Sequence, residues 1–501
     1  MNNFFPMAAR GLRRGFSLSA FALAAFLCAS GAVVAAPSTT VPDTPLGKVG
    51  SELLRHVNSD TPEQMRAWAP TVLSSAFGKE DAAAFVDGLV SAVRESGGLT
   101  LTNAHIQQGF LVLTVKARRT GQWVMFILAA DPAQPGKLGR ADLMPMDDPA
   151  LYADWPDTAV SPERLNSLIH TALDRLVQAN DFSGCVTVAH GGKTVFDECR
   201  GLAERSFGVP VDRETKFRVA SVGKMFTAVA IGQLVEAGKL SWDSTLDQLV
   251  PEYPDHDAAK KITVWQLLHH TSGLGDFFVP AFFQHREKYV NPADYLDLIA
   301  RQPRVSEPGK QVSYSNAGYV LLGRIVENVS HEDYFGYVQR HVFAPAGMRS
   351  SGFNTLDETT PKLAVGYFQA SPFSTDWKAN WMKIPYKGSP AGDSYSNNAD
   401  LLRFAAALRG GKLLKPDTLT SMFKDPIPMG PGSIGAGFDE RLSHGRHIRG
   451  HQGGIEGVTT NLAMIWETGS AVALTSNEGQ SQAWMLAERI ADLLAAEATK
   501  P

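Results

Sequence analysis

The spacing of apolar residues divides the chain into a short first part and a long second part. In the first part, two stretches have helical spacing and three alternate as strands do: residues 47–58 and 62–95, then 99–103, 106–117 and 123–130. This order of elements predicts a small α+β domain over residues 37–148. No cluster of residues within it is typical of catalysis.

Beyond an Asp- and Pro-rich linker at residues 149–160, the elements become longer and more numerous. The pattern predicts helices at 162–179, 222–237 and 483–496, a helix-rich stretch at 262–344, a hairpin at 185–199, and strands at 457–466 and 470–476. The helix at 222–237 has an amphipathic spacing, and Gly238 is placed to end it. We therefore expect one larger domain of mixed α+β class over residues 161–501.

Composition and charge exclude some classes of function. The chain has 501 residues, of which 44% are hydrophobic and 20% charged, so large buried cores are expected. The formal net charge is only -4, and no basic face is indicated, so we expect no nucleic-acid partner. No histidine or cysteine spacing typical of a metal site is present, and we expect neither a metal nor a cofactor.

The first 36 residues are typical of an export signal. Arg10, Arg13 and Arg14 precede an apolar stretch at 16–27, which is short for a membrane span, and small residues follow up to Ala35. We expect cleavage near Ala35, a periplasmic or secreted mature protein, and no membrane anchor after cleavage. An uncleaved anchor helix is the alternative.

Cleavage would remove Cys28 and leave two cysteines. Cys185 and Cys199 flank the predicted hairpin, whose turn is His190-Gly-Gly-Lys193. Their symmetric placement is compatible with a cross-strand disulfide in an oxidising compartment. Two separate thiols in shifted register are an equal alternative.

Ser221 and Lys224 form the first candidate catalytic pair. Ser221 lies where a short strand passes into a helix, and Lys224 follows one turn later, so the two side chains can meet. A serine hydroxyl needs a base to become a nucleophile, and a helix N-terminus favours a developing oxyanion. The spacing alone is weak, because Ser421 and Lys424 share it. Ser421 lies in a polar segment between two prolines, and we interpret it as a coincidence.

Tyr314 and Asn316 form the second candidate set, in a loop before an apolar helix. A phenol beside a lysine ammonium is expected to have a lowered pKa, which would let Tyr314 act as a general base. The Asn316 amide can hold Lys224 and a substrate carbonyl. Tyr395 repeats the same three letters, Tyr-Ser-Asn, but it precedes Asn398, which we interpret as a helix N-cap.

The third set is Gly450-His451-Gln-Gly453-Gly454, which leads into a strand. Glycines allow the backbone to approach a ligand closely, and the N–H of Gly454 could complete an oxyanion hole with that of Ser221. His451 could bind a substrate carboxylate or carbonyl. A polar hairpin with a surface histidine is the alternative interpretation.

In this order, Ser221-x-x-Lys224, Tyr314-x-Asn316 and His451-x-Gly453 resemble the three active-site motifs of the penicillin-recognising serine hydrolases. The similarity covers about residues 160 to 496 and is greatest to class C β-lactamases, D-alanyl-D-alanine carboxypeptidases, D-aminopeptidases and related esterases. It implies a β-lactamase/transpeptidase-like antiparallel sheet flanked by helices, with a helical subdomain. The first domain is similar to small cystatin-like or NTF2-like modules.

The resemblance implies an exported serine hydrolase that acts on an ester, amide or lactam through an acyl-enzyme at Ser221, with a small molecule or peptide as its substrate. Class C β-lactamases carry lysine where this chain has His451, which favours the esterase or D-amino-acid peptidase branch. A class C-like β-lactamase and a non-catalytic penicillin-binding sensor are the alternatives. The aromatic segment 277–295 could form a pocket wall or a packed lid.

Overall fold

The computed structural model describes residues 39–75, 77–107, 109–146, 148–429, 432–479 and 483–497. The predicted signal peptide, residues 1–36, and Cys28 within it lie outside the described residues. Within these ranges, every helix is too short or too polar to span a lipid bilayer.

Residues 45–146 form three α-helices, a 3₁₀ turn and a four-stranded antiparallel sheet. The elements are α1 Pro45–Ser59, α2 Pro62–Trp68, the 3₁₀ turn Ala69–Val72, α3 Lys79–Glu95, β1 Leu99–Gln107, β2 Phe110–Ala117, β3 Trp123–Asp131 and β4 Gln134–Met146. The strand order is β1-β2-β3-β4. Side chains from all three helices and from the sheet share one apolar core.

Strand β4 was not predicted, because Pro135, Gly136 and Pro145 interrupt its sequence. The structure places β4 at the edge of the sheet, where one side needs no hydrogen-bonded partner and proline is tolerated. Its register against β3 shifts near Ala130, which absorbs the irregular sequence. Part of the predicted linker at 149–160 packs against the larger domain, since Leu151 is buried in the apolar core of that domain.

The helices of the second part surround a large sheet. They are α4 Pro162–Gln178, α5 Lys224–Glu236, α6 Leu246–Leu249, α7 His256–Ala259, α8 Val264–Leu268, α9 Pro280–Gln284, α10 Leu296–Ala300, α11 Asn316–Ser330, α12 Tyr334–Val338, α13 Ala344–Ala346, α14 Asn398–Arg409, α15 Pro416–Met422 and α16 Trp484–Ala495. Shorter turns are the 3₁₀ segments Ala220–Gly223, Arg286–Lys288, Pro292–Tyr295 and Asn380–Met382, and the π-helical segment Gln339–Phe343.

The strands of the second part form one eight-stranded antiparallel sheet and three two-stranded ones. They are β5 Gly184–His190, β6 Lys193–Arg200, β7 Leu202–Glu204, β8 Val209–Pro210, β9 Phe217–Arg218, β10 Tyr367–Gln369, β11 Trp377–Ala379, β12 Tyr395–Ser396, β13 Ile427–Met429, β14 Gly432–Ile434, β15 Asp439–Ser443, β16 Arg446–Ile455, β17 Val458–Ile465 and β18 Ser470–Ser476. The large sheet has the order β13-β14-β15-β16-β17-β18-β5-β6.

The large sheet is covered on both faces. Leu462 and Met464 of β17 face the core built on α5 and α11, while Ala463 and Ile465 face the core built on α4 and α16. Every residue of β17 is buried, as expected for a strand with apolar layers on both sides. The fold is therefore the expected mixed α+β class, with an antiparallel sheet flanked by helices and a helical subdomain.

Two details of the predicted helices were wrong. Helix α5 is buried on nearly all of its surface rather than amphipathic, and a 3₁₀ turn at 220–223 precedes it, so the α-helix begins only at Lys224. A helix that is apolar around its whole circumference belongs in the centre of a domain. The N-cap of α14 is Asn397, whose side chain accepts the N–H of Asp400 at 2.9 Å, and Asn398 is the first helical residue.

The predicted hairpin is β5 and β6, with the turn at Gly191 and Gly192. Cys185 lies opposite Cys199 in the register of the two strands, with their Cα atoms 4.1 Å apart, and a disulfide joins them. Of the two alternatives for these cysteines, the structure shows the disulfide.

The β10–β11 hairpin connects the larger domain to the smaller one. Its tip places Phe373, which is fully buried, in the apolar core of the small domain. Ser371 is hydrogen-bonded to Ser91 at 2.6 Å, and Gln122 donates to Gln369 at 2.8 Å. Directly after β11, the Asn380 amide donates to the carbonyl of Glu456 at the β16–β17 turn, at 2.8 Å.

We predict that Phe373→Ala destabilises the small domain by about 3–5 kcal/mol, the usual cost of removing a buried phenyl ring. Phe207→Ala is the matched control, because Phe207 is 88% exposed and should cost little. Thermal unfolding followed by calorimetry would measure both. Equal melting temperatures for the two variants would contradict this role for Phe373.

Candidate active site

Ser221 lies in a tight backbone turn between β9 and α5. Ala220 directly before it has a φ of 43°, in the left-handed region that non-glycine residues rarely adopt. The carbonyl of Ala220 accepts the backbone N–H of Asp393 at 3.0 Å, and a Cβ on Gly392 would lie only 2.3 Å from that carbonyl. The segment 389–394 therefore packs against the strained turn and supports its conformation. Ser221 itself remains partly exposed.

Lys224 is the first residue of α5 and is fully buried. Its Nζ donates to three oxygens: Ser221 Oγ at 3.2 Å, Asn316 Oδ1 at 2.8 Å and the carbonyl of Ala391 at 2.6 Å. Burial lowers the pKa of Lys224 to about 7, although two carboxylates oppose that shift. Lys224 can therefore exchange a proton with Ser221 near neutral pH.

Tyr314 lies next to Ser221 and Lys224, in the loop that precedes α11. Its ring stacks on His270 with the centroids 4.3 Å apart, and Lys224 Nζ is 4.8 Å from its centroid. Burial raises the pKa of Tyr314 far above its usual value, although the nearby Ser221 hydroxyl favours the ionised phenol. The expectation of a lowered phenol pKa was wrong, because loss of solvation outweighs the other influences. Tyr314 is a neutral phenol at pH 7.

Asn316 is the first residue of α11, and both ends of its amide are engaged. Its oxygen accepts from Lys224, and its NH₂ donates to Asp276 Oδ2 at 2.9 Å. The structure therefore shows Asn316 holding the lysine. Asp276 was not identified from the sequence; the only signal would have been a lone carboxylate between Gly275 and the aromatic run that follows.

His270 was not among the predicted site residues, although the segment that contains it, Leu267-Leu-His-His-Thr-Ser-Gly-Leu274, is a secondary signature of the family that the chain resembles. Its φ is 56°, and its Nδ1 accepts the backbone N–H of Ser315 at 3.0 Å. Burial holds the pKa of His270 well below its usual value, so the ring is neutral. His270 thus fixes the backbone beside Tyr314 and supplies the flat surface on which the phenol stacks.

The third predicted set lies on β16, which passes directly beside the Ser221 turn. A Cβ on Gly453 would lie 2.4 Å from the carbonyl of Val219, 2.5 Å from Thr460 Oγ1 and 3.0 Å from Ser221 N. This close approach requires glycine. The nearest atom to a Cβ on Gly454 would be the Val458 carbonyl at 3.9 Å, so the space beside Gly454 is open.

His451 also lies on β16 and is only 6% exposed, so it is not a surface histidine. Its Nδ1 contacts the carbonyl of Gln452 and lies 3.9 Å from Asp439 Oδ2. A carbonyl can only accept, so Nδ1 carries the proton of the neutral ring and Nε2 is left as an acceptor. Burial lowers the pKa of His451, which favours the neutral ring at pH 7.

The repeated sequence patterns lie in ordinary secondary structure. Ser421 is in α15, where its hydroxyl donates to the carbonyl of Thr418 at 2.7 Å. Tyr395 is in β12 and pairs with Arg218 of β9. Neither belongs to the group formed by Ser221, Lys224 and Tyr314.

The aromatic segment 277–295 is largely a packed cluster. Phe277, Phe282 and Tyr295 are at most 1% exposed and contact one another through edge-to-face and tilted ring pairs. Arg286 ties the segment to the chain after β11 by donating to the carbonyl of Ile384 at 2.7 Å. Of the two interpretations left open for this segment, the packed lid fits these three side chains.

The described ranges contain no group of three or more histidine, cysteine, aspartate or glutamate side chains able to hold a metal ion. The chemistry that the arrangement itself offers is transfer of an acyl group to a serine. It brings together a nucleophile, a buried amine that can exchange a proton with it, and a neutral phenol, next to the backbone of a glycine-containing strand.

Comparison with known proteins gives a consistent result. A family profile described as Beta-lactamase matches residues 170–497. PbpX of Bacillus subtilis, which carries a penicillin-binding-protein name, is 31% identical over 258 residues, and the alignment covers 51% of this chain and 62% of PbpX. Esterase EstB from Burkholderia gladioli is 28% identical over 320 residues, covering 56% of this chain and 79% of EstB. The chain thus spans less than two thirds of PbpX.

A solved structure agrees with these matches. The crystal structure of D-amino acid amidase from Ochrobactrum anthropi SV3, complexed with L-phenylalanine amide, superimposes with a TM-score of 0.58 at 28% identity. The superposition covers 66% of this chain and 98% of the amidase.

We predict that Gly453→Ala prevents acylation of Ser221, because the new methyl group would push β16 away from the Ser221 turn. Gly454→Ala is the matched control: its methyl group meets open space and its N–H is retained. Labelling with a fluorophosphonate, followed by intact-mass spectrometry, would compare the two. Full labelling of Gly453→Ala would show that the close approach of β16 is not required.

Proposed function

Because the chain belongs to the β-lactamase family of serine hydrolases, as its match over residues 170–497 shows, we propose that it is an exported esterase or D-amino-acid peptidase that works through an acyl-enzyme at Ser221. The observation that carries this proposal is the contact of 3.2 Å between Ser221 Oγ and the fully buried Lys224 Nζ. An amine whose pKa is about 7 can remove the hydroxyl proton at physiological pH.

The reaction proceeds in two stages. Lys224 takes the proton as Ser221 Oγ bonds to the substrate carbonyl carbon, and the carbonyl electron pair moves to its oxygen. The N–H groups of Ser221 and Gly454 stabilise that oxyanion. When the oxyanion collapses, the bond to the leaving group breaks, and the proton passes through the neutral phenol of Tyr314 to the leaving oxygen or nitrogen. Water then attacks the acyl-enzyme by the reverse route.

The choice of substrate class rests on His451. A neutral imidazole with Nδ1 bonded to the Gln452 carbonyl has no charge to offer a carboxylate. Lys224 is a cation when protonated, but its donors point to three oxygens of the protein. Neutral esters and amides are therefore better suited to the site than β-lactams, which carry a carboxylate. Two of the proteins it resembles are named as an esterase and an amidase.

Export is part of the proposal and is supported by two features. The predicted signal peptide would direct the chain across a membrane, and the bridge between Cys185 and Cys199 is the kind of bond that persists in an oxidising compartment.

We predict that Ser221→Ala abolishes both hydrolysis of p-nitrophenyl acetate and covalent labelling by a fluorophosphonate or a penicillin. Ser421→Ala should change neither, since its hydroxyl is bonded within α15. Peptide mapping of the labelled protein would locate the adduct. An adduct on Ser421 would refute the assignment, and stable acylation of Ser221 without turnover would favour a penicillin-binding sensor.

We also predict that the wild type hydrolyses short-chain esters much faster than nitrocefin, and that His451→Lys shifts this ratio towards the β-lactam by adding a fixed cation. Since burial lowers the pKa of His451, carboxylate substrates should bind better only below pH ~6.5. Parallel kcat/KM measurements from pH 5 to 8 would test both statements. Rapid nitrocefin hydrolysis without ester hydrolysis would instead identify a class C-like β-lactamase.

A further inference from the structure

Asp276 is joined to the catalytic lysine by two successive hydrogen bonds. Its Oδ2 accepts the Asn316 amide N–H at 2.9 Å, and the oxygen of the same amide accepts from Lys224 Nζ at 2.8 Å. The other oxygen of Asp276 accepts the backbone N–H of Phe278 at 3.3 Å, which anchors the carboxylate at the start of the aromatic segment.

We propose that Asp276 is a positioning residue, which orients Asn316 towards Lys224 and places a negative charge two hydrogen bonds away from the amine. The inference rests on the proposed role of Lys224 as the base for Ser221, and it adds a residue that does not touch the reacting atoms.

The orientation follows from which groups donate and which accept. An ammonium group only donates and an ionised carboxylate only accepts, whereas an amide has one end of each kind. Asn316 between Lys224 and Asp276 can satisfy both neighbours in one orientation only, with its oxygen towards the lysine. Asp276 matters most when Lys224 is a neutral amine, whose lone pair could accept from the amide NH₂. The carboxylate holds that NH₂ group away from Nζ and so leaves the lone pair for Ser221.

The charge of Asp276 acts in the same direction, although burial raises the pKa of this carboxyl above its usual value. Six titratable groups surround Lys224: the rings of Tyr314, Tyr319, His270 and His451, and the carboxylates of Asp276 and Asp439. Burial raises the pKa of both phenols and lowers that of both imidazoles, so all four rings are neutral at pH 7. The carboxylates are the groups that favour the ammonium form, and Asp276 is the stronger of the two.

The balance between burial and the nearby carboxylates matters because Lys224 Nζ must both accept a proton and return it. Desolvation alone would make Lys224 a weak base that gives up its proton too readily. A general base works best when its pKa lies near the working pH. Asp276 therefore offsets part of the effect of burial and keeps the amine basic enough to activate Ser221.

The test is Asp276→Asn, which keeps the size of the side chain and an oxygen for the Asn316 amide but removes the charge. The measurement is the second-order rate of Ser221 labelling by a fluorophosphonate from pH 5 to 10. In the wild type the rate should rise as pH increases through about 7, where Lys224 loses its proton. In Asp276→Asn the midpoint should fall by about one pH unit, since an opposite charge that favoured the ammonium is gone. The plateau should fall as well, because the base is weaker.

Asp439→Asn is the matched control. It removes the other carboxylate, whose Oδ2 lies 3.9 Å from His451 Nδ1, and it should shift the midpoint less because Asp439 affects Lys224 less than Asp276 does. Thermal unfolding of both variants shows whether a change in the labelling rate comes from the site or from a less stable fold. A lower melting temperature for Asp276→Asn with an unchanged midpoint would show a merely structural role and overturn the inference. Absence of labelling in the wild type at every pH would overturn the proposed function, and this inference with it.

Discussion

Lys224 is fully buried at the first turn of α5, and an amine in that position must find oxygen acceptors within the protein. It finds them in three separate parts of the chain: the Ser221 turn, the start of α11 and the carbonyl of Ala391. Since these parts are far apart in sequence, the fold must bring them together around Lys224 Nζ. Helix α5 can occupy the centre of the helical subdomain because its other buried side chains are apolar or small.

The same convergence explains the strained and crowded backbone around Ser221. Ala220 adopts a left-handed conformation, and Gly392 and Gly453 approach its turn from two sides more closely than a Cβ would permit. Such strain persists only when the surroundings hold it in place. Here the support comes from the N–H of Asp393 behind the turn, and from Thr460, whose hydroxyl donates to the carbonyl of Val219 at 2.9 Å. Ser221 is thus kept partly exposed by a backbone turn that its surroundings hold in place.

Sequence patterns predicted much of this arrangement, because the chemistry depends on residue types at fixed local spacings. Ser221 and Lys224 are close in sequence, as are Tyr314 and Asn316. The class of fold followed from the order of elements. The patterns failed where the outcome depends on long-range packing. Burial of the Tyr314 phenol, the all-round burial of α5, and the meeting of Asp276 with Asn316 across 40 residues have no local signal. Strand β4 was missed for a related reason: its prolines are tolerated only because it lies at an edge.

The electrostatic character of the site follows from where its charges are placed. The cation that contacts Ser221 is Lys224, and its donors are all directed at protein oxygens, so a bound substrate meets no cation there. His451 is held as a neutral ring by burial, with its proton on the side of the Gln452 carbonyl. The carboxylates of Asp276 and Asp439 remain as the nearby charges acting on Lys224. A substrate carboxylate would enter this field at a cost, whereas a neutral carbonyl needs only the N–H groups beside Ser221. In the proposed function, selection between substrates therefore depends on the groups that the site keeps uncharged, and Lys224 acts on Ser221 rather than on the substrate.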